Sequence, residues 1–226
     1  MVAGRRSLMF RVRITYSKRG RGCFISHISM PQTLYRAGRR AGLDFVLTEG
    51  FSPRPRVSLG PELPVGIIAL SEPADIWVRN WNDDFLESWN KTLPSAFTIT
   101  GGAIYEGPSI SKSCNASGYL IGFRSENSLP KLVRQLEDQA FLPEKLLNWT
   151  LCSPFVECVF SDPYSLGPGA LIKELERVGL IQGWADVKLV RTTVGKWNEG
   201  NLEPLVFQKN PPRLPAQFIR GEGVVQ

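Results

Sequence analysis

The chain has 226 residues, 42% hydrophobic and 21% charged. This is an ordinary globular composition: it excludes a disordered or fibrous protein and allows one large or two small domains with real cores. Its longest apolar stretches, such as Leu63–Leu70, fall far short of the roughly 20 residues of a membrane helix. The basic opening Met1–Ser7 leads to Arg11 and Arg13 rather than an apolar leader, so no membrane contact and a cytoplasmic location are expected. The net charge of +6 is uneven: residues 1–60 carry twelve Lys or Arg against Asp44 and Glu49, and the remainder is slightly acidic. A basic end on a near-neutral body points to a polyanionic partner, nucleic acid above all.

Phe10–Tyr16 alternates apolar residues with Arg11, Arg13 and Thr15, which predicts a half-buried strand with a basic exposed face. Ser17–Gly22, reading SKRGRG, predicts a cationic turn. Ser26 or Ser29 then caps a helix to about Ala41. Pro31 is tolerated in its first turn, Arg36, Arg39 and Arg40 point largely outward, and Gly42 is its stop. Asp44–Thr48 reads as a strand. The Pro/Gly segment Gly50–Gly66 follows, with extended pieces around Val57 and Leu59. Ala74–Val78 predicts a strand, Asp83–Lys91 a helix and Ala96–Tyr105 a strand. The order strand, helix, strand, strand, helix, strand is the split βαβ, ferredoxin-like pattern.

The pattern recurs. Tyr119–Phe123 predicts a strand, Leu129–Gln139 a helix, Trp149–Phe160 one or two strands, Gly169–Val178 a helix closed by Gly179, and Asp186–Thr193 the last strand. The expectation is an α+β fold of two tandem ferredoxin-like halves with antiparallel sheets. Residues 1–105 form a basic N-terminal domain, 106–116 a linker, 117–194 a C-terminal domain, and 195–226 an extension that wraps the surface or is loose. Cys23, Cys114, Cys152 and Cys158 are scattered and there is a single histidine, so no metal site and no cofactor are expected, and the thiols read as reduced core residues.

The blocks SKRG, FISH, RAGRRAGL and GFSPRPRVSLGPELPVG, all within Arg11–Gly66, resemble the N-terminal signature of the radical-SAM-linked protein family of unknown function. SLGPGALIKEL at Ser165–Leu175 and VKLVRTTV at Val187–Val194 resemble it more loosely. That family occurs alone, fused to cobalamin-binding radical SAM enzymes, or beside an RNase G-type ribonuclease. The resemblance therefore implies a radical SAM, cobalamin-binding enzyme as partner. This chain has no CxxxCxxC, so it cannot ligate the cluster that generates the radical, and such chemistry falls to the partner. A looser architectural similarity, to the tandem ferredoxin-like CRISPR repeat-processing endoribonucleases, concerns fold alone.

The candidate phosphate contacts are Arg11, Arg13, Lys18, Arg19 and Arg21 around the cationic turn, and Arg36 and Arg40 on the helix. Guanidinium forks match phosphate oxygens in pairs, and glycines let the backbone approach. Arg54 and Arg56 project from a segment that Pro53 and Pro55 stiffen into an extended rod, beside Phe51 as a candidate base-stacking ring. His27 is a candidate general acid or base on a ribose hydroxyl, with Tyr35 or Lys18 as its partner. Its alternative is a capping or buried histidine. The leading expectation is an RNA-binding accessory module for tRNA or another structured RNA. The alternatives are a metal-independent endoribonuclease using His27, and a protein-only adaptor for a radical SAM enzyme.

Overall fold

Apolar residues at every second position make Phe10–Lys18 a strand (β1) whose Val12, Ile14 and Tyr16 point into a core. The structure, a computed structural model, describes residues 9–209 and 211. After β1 come α1 (Met30–Arg40), β2 (Val57–Leu59), β3 (Ile68–Val78), α2 (Asp84–Thr92) and β4 (Phe97–Ile104). The strands stand in the order β4-β1-β3-β2, every neighbour antiparallel. The hydroxyl of Ser26 accepts the amide of Ser29 and starts the short 3-10 turn His27–Ser29 ahead of α1. Helix α1 buries Met30, Leu34 and Ala37 and is closed by Gly42, whose φ of +92° suits glycine. Trp89 of α2 is fully buried against this layer, and its indole N–H donates to the carbonyl of Leu34 at 3.2 Å.

The second half repeats the pattern with β5 (Ala116–Phe123), α4 (Ser128–Glu137), β6 (Leu146–Cys152), β7 (Phe155–Ser161), α5 (Pro168–Arg177) and β8 (Val187–Asn198). Its order is β8-β5-β7-β6, again antiparallel throughout. A short helix, α3 (Ile110–Ser113), separates the halves, and β9 (Asn201–Pro204) pairs back onto β8. The fold is α+β, as the periodicities indicate. The two expected sheets are one, however: β3 and β8 pair in parallel at Ile68↔Val190 and Ala69↔Arg191, giving a single nine-stranded sheet.

That junction divides β3. Its C-terminal part pairs with β2 as far as Leu59↔Ala74, and its N-terminal end pairs with β8. Pro73 falls in the gap between the two, where β3 has no strand partner on that side and the missing N–H is tolerated. The segment from Gly60 to Gly66 crosses the same gap. It sends Leu63 into the core of the second half, where Ile67 and Ala69 also pack. Arg191, fully buried, fastens the crossing: its guanidinium grips the Glu72 carboxylate with Nε and Nη2 and donates to the carbonyls of Glu62 (2.9 Å) and Pro61 (3.0 Å).

One expectation needs correction, and two segments gain detail. Asp44–Thr48 forms isolated bridges, Phe45↔Val78 and Leu47↔Pro55, rather than a strand, because the prolines and glycines that follow interrupt the ladder. Residues 106–116 are packed: Ile110 and Cys114 are buried with Val194. Of the chain after Val194, the described part packs against the body: β8 runs on to Asn198, β9 follows, and the backbone of Phe207 passes directly over Gly101, where a side chain would collide. Of Asn210-Pro-Pro-Arg-Leu-Pro, all but Pro211 lies outside the described residues.

Removing one partner of a buried ion pair strands the other, a loss of about 3–5 kcal/mol. Arg191→Met is therefore expected to lower the unfolding free energy in urea by that order, and the double change Arg191→Met/Glu72→Leu to restore most of it. Equal losses in both variants would show that the guanidinium's bonds to the Pro61 and Glu62 carbonyls matter more than the ion pair.

Candidate nucleic-acid interface

The basic face expected of β1 is built differently. Arg13 is 1% exposed. Its Nε and Nη2 hold the Asp75 carboxylate at 2.7 and 2.9 Å, while Nη1 and Nη2 also reach Ser113 Oγ and the Pro108 carbonyl, both at 2.9 Å. Burial disfavours its charge, but the Asp75 bond and charge outweigh that and hold the guanidinium above its ordinary pKa. Lys18 is equally buried, and its ammonium donates to the Ile25 carbonyl at 2.6 Å. Burial lowers its pKa, partly opposed by Cys23 and Glu72. Neither residue is open to a phosphate: the linker covers one and the 3-10 turn Gly20–Phe24 encloses the other.

Beside Arg13, on the sheet face away from α1, lies an open row. Arg11 is opposite Trp77 in the β1–β3 register, the Trp77 amide donates to the Arg56 carbonyl at 3.1 Å, and the Tyr105 amide donates to the Arg11 carbonyl at 2.8 Å. Four side chains thus stand side by side: Arg56, Trp77, Arg11, Tyr105. The Arg56 guanidinium lies 4.5 Å from the Trp77 ring centre, and Arg11 lies 5.0 Å from that of Tyr105, which also carries Arg13 at 3.7 Å. They line a shallow cavity of about 340 Å³ with Ile104 and Glu106 at its rim. A larger depression of about 470 Å³ on the second half, beside Leu146 and Trp149, has no basic side chain in its lining.

The other candidates are spread over the N-terminal half. Arg21, Arg36, Arg40 and Arg54 are exposed, and Arg19 is half-buried with its pKa lowered by burial. Arg40 donates to the Thr92 carbonyl at 2.7 Å. Phe51 is fully exposed at the tip of a loop closed by Thr48 N to Arg54 O (2.7 Å) and Arg54 N to Thr48 Oγ1 (3.1 Å). Gly50–Arg54 thus turns back on Thr48, while from Pro55, bridged to Leu47, the chain runs extended through Arg56 into β2, so the rod expected from the two prolines is met in its second part alone. Phe51 and Arg54 sit on that turn, outside the cavity lining. On the second half, Ser165 belongs to a turn with Asp162 and Lys145, whose bonds hold the Asp162 carboxyl down to about 2.

His27 is half-buried in the turn before α1 and makes no side-chain hydrogen bond among the described residues. Burial, opposed by Glu72 and Glu62 and assisted by Arg191 and Lys18, lowers its pKa below 6.5, so the imidazole is neutral at neutral pH. Of its two expected partners, Lys18 donates its ammonium to the Ile25 carbonyl, while the Tyr35 ring packs edge-on against Phe45 at 5.3 Å between ring centres. Among the described residues no group of three or more His, Cys, Asp or Glu is placed to hold a metal ion, and no helix is long and apolar enough to cross a membrane.

A family model described as "Uncharacterized protein conserved in bacteria (DUF2344)" matches residues 11–150. The chain belongs to this family. The DUF2344 match contains the whole Arg56–Trp77–Arg11–Tyr105 row and Glu72, and ends before Arg191. No curated protein matches the chain.

Sequence reasoning missed Trp77, Tyr105, Glu72, Asp75 and Arg191. A signal existed for three of them: two carboxylates inside the otherwise apolar strand IALSEPADIWV each demand a buried cation, and Arg191 sits in an equally apolar strand. Because His27 is the only histidine, its imidazole signals in a proton NMR titration are unambiguous, and their midpoint is expected below 6.5. A folded pKa below the unfolded one means the unfolded chain binds more protons, so stability falls as pH drops from 6.5 through the folded value. His27→Gln is expected to remove that component; a midpoint at or above 6.5 would contradict the half-buried placement.

Proposed function

We propose that this protein is an accessory module that binds RNA, tRNA or another structured RNA, through its basic N-terminal half. It serves a radical SAM, cobalamin-binding enzyme and has no radical chemistry of its own. The observation that carries the RNA reading is the lack of internal neutralisation. Of the ten described Lys and Arg in residues 9–60, Arg13 alone pairs with a carboxylate. Arg21, Arg36, Arg39 and Arg54 are exposed and make no side-chain hydrogen bond or ion pair among the described residues. Uncompensated guanidinium groups on a stable scaffold suit phosphate oxygens. The radical SAM partner rests on the resemblance of Arg11–Gly66 to the radical-SAM-linked signature and on the scattered cysteines.

The endoribonuclease alternative needs a second acid–base group within reach of His27. The engagement of the buried Lys18 ammonium by the Ile25 carbonyl supports binding without cleavage.

Displacement of counterions makes phosphate-driven affinity fall steeply with salt. Anisotropy of a labelled tRNA is expected to report binding at least about tenfold weaker at 200 mM than at 50 mM salt. The combined change Arg21→Ala/Arg36→Ala/Arg54→Ala is expected to flatten that dependence, and the RNA is expected to stay intact in chelator. Weak, salt-independent binding would contradict the proposal, and cleavage lost with His27→Ala would favour the enzyme.

A further inference from the structure

We infer that the row Arg56–Trp77–Arg11–Tyr105 is a seat for an unpaired nucleotide of single-stranded RNA. The inference rests on the RNA reading above and specifies which form of RNA this face selects. Three observations carry it. First, the row places two guanidinium groups and two aromatic rings in alternation across four adjacent extended segments, all on one face, because the register fixes Arg56 beside Trp77, Trp77 beside Arg11 and Arg11 beside Tyr105. Second, the groups line a shallow concave space of about 340 Å³, at the lower end of the volume range of small-ligand sites. Third, the platform is set before any ligand arrives. Arg11 is fixed by its Nε to the Tyr105 carbonyl at 3.1 Å and by Nη2 to the Gly107 carbonyl, and Arg13 with Asp75 supports the Tyr105 ring from beneath the surface.

A base has a planar face that stacks on an indole or on a guanidinium plane, and the phosphate attached to it accepts from guanidinium N–H groups. In the free protein the Arg56 guanidinium lies over Trp77. The exposed Arg56 side chain can turn from the ring to the phosphate while the base takes its place. Glu106 is the one acidic residue lining the cavity among the described residues; it accepts from an exocyclic amino group and repels a phosphate placed on that side, which orients the nucleotide with its phosphate toward Arg56 and Arg11. In a duplex the base faces are stacked on their neighbours and unavailable.

The test compares a ten-nucleotide labelled single strand, the matching ten-base-pair duplex and AMP as competitor, using full-length protein at one salt concentration. Wild type is expected to prefer the single strand. Trp77→Leu is expected to weaken single-strand binding about tenfold, the loss of one stacked base, with duplex binding unchanged. Trp77→Phe is expected to keep the preference but lose the tryptophan-fluorescence quenching that accompanies binding, a readout that does not depend on the leucine variant folding well. Equal affinity for the two forms, unaltered by either substitution, would overturn the seat and leave the RNA reading standing. Absence of binding to either form would overturn both. AMP competing as well as the single strand, nucleotide for nucleotide, would overturn the assignment to single-stranded RNA.

Discussion

The Arg191–Glu72 pair is the constraint on which the architecture turns. Each half of the molecule could close its own four-stranded sheet, yet β3 is shared between β2 and β8, and a charged pair with no access to water sits where they meet. A guanidinium in that place is tolerated only because Glu72 and the carbonyls of Pro61 and Glu62 satisfy it. The same bonds hold the GPELPVG crossing against β3, and that crossing delivers Leu63 and Ile67 to the second core. Burial and the Glu72 charge also raise the pKa of Tyr16, which stays neutral beside the pair. The two halves are therefore one folding problem with a polar fastening.

This divides the cation-bearing blocks of the N-terminal half into two jobs. Lys18 of SKRG and the GPELPVG stretch are framework: one holds the Gly20–Phe24 turn through Ile25, the other joins the cores. Arg13 is also framework, binding β3 through Asp75 and the connection between halves through Pro108 and Ser113. Arg11, Arg54 and Arg56 remain outward, and with Trp77 and Tyr105 they make the chemically distinctive surface. Composition counts all these cations alike; burial and partners separate them.

Much of the fold was legible in residue patterning. Period-two alternation located β1, and the caps around Ser26 and Gly42 located α1. The repeated six-element order was legible for the same reason, since it depends on local periodicity. The single sheet was not, because the β3–β8 contact is two residue pairs between strands more than a hundred residues apart and leaves no local trace. The candidate site was half legible. Arg11 and Arg56 were visible as cations, but their aromatic companions depend on register: a one-residue slip would put Trp77 on the opposite face. Arg13 was misplaced for a related reason, since an alternating strand marks a solvent face only when nothing covers it, and here the 106–116 segment does.

On the proposed reading, RNA meets this protein on the outward cations and aromatics of the first half and not on the buried ones. Ultraviolet cross-linking of the native protein to RNA in its own cells, followed by mass spectrometry of the cross-linked peptides, tests it most directly. Cross-links are predicted in peptides carrying Phe51–Arg56, Trp77 and Tyr105. Cross-links confined to the second half, around Trp149 or Trp184, or RNA absent from a protein recovered only with protein partners, would contradict it.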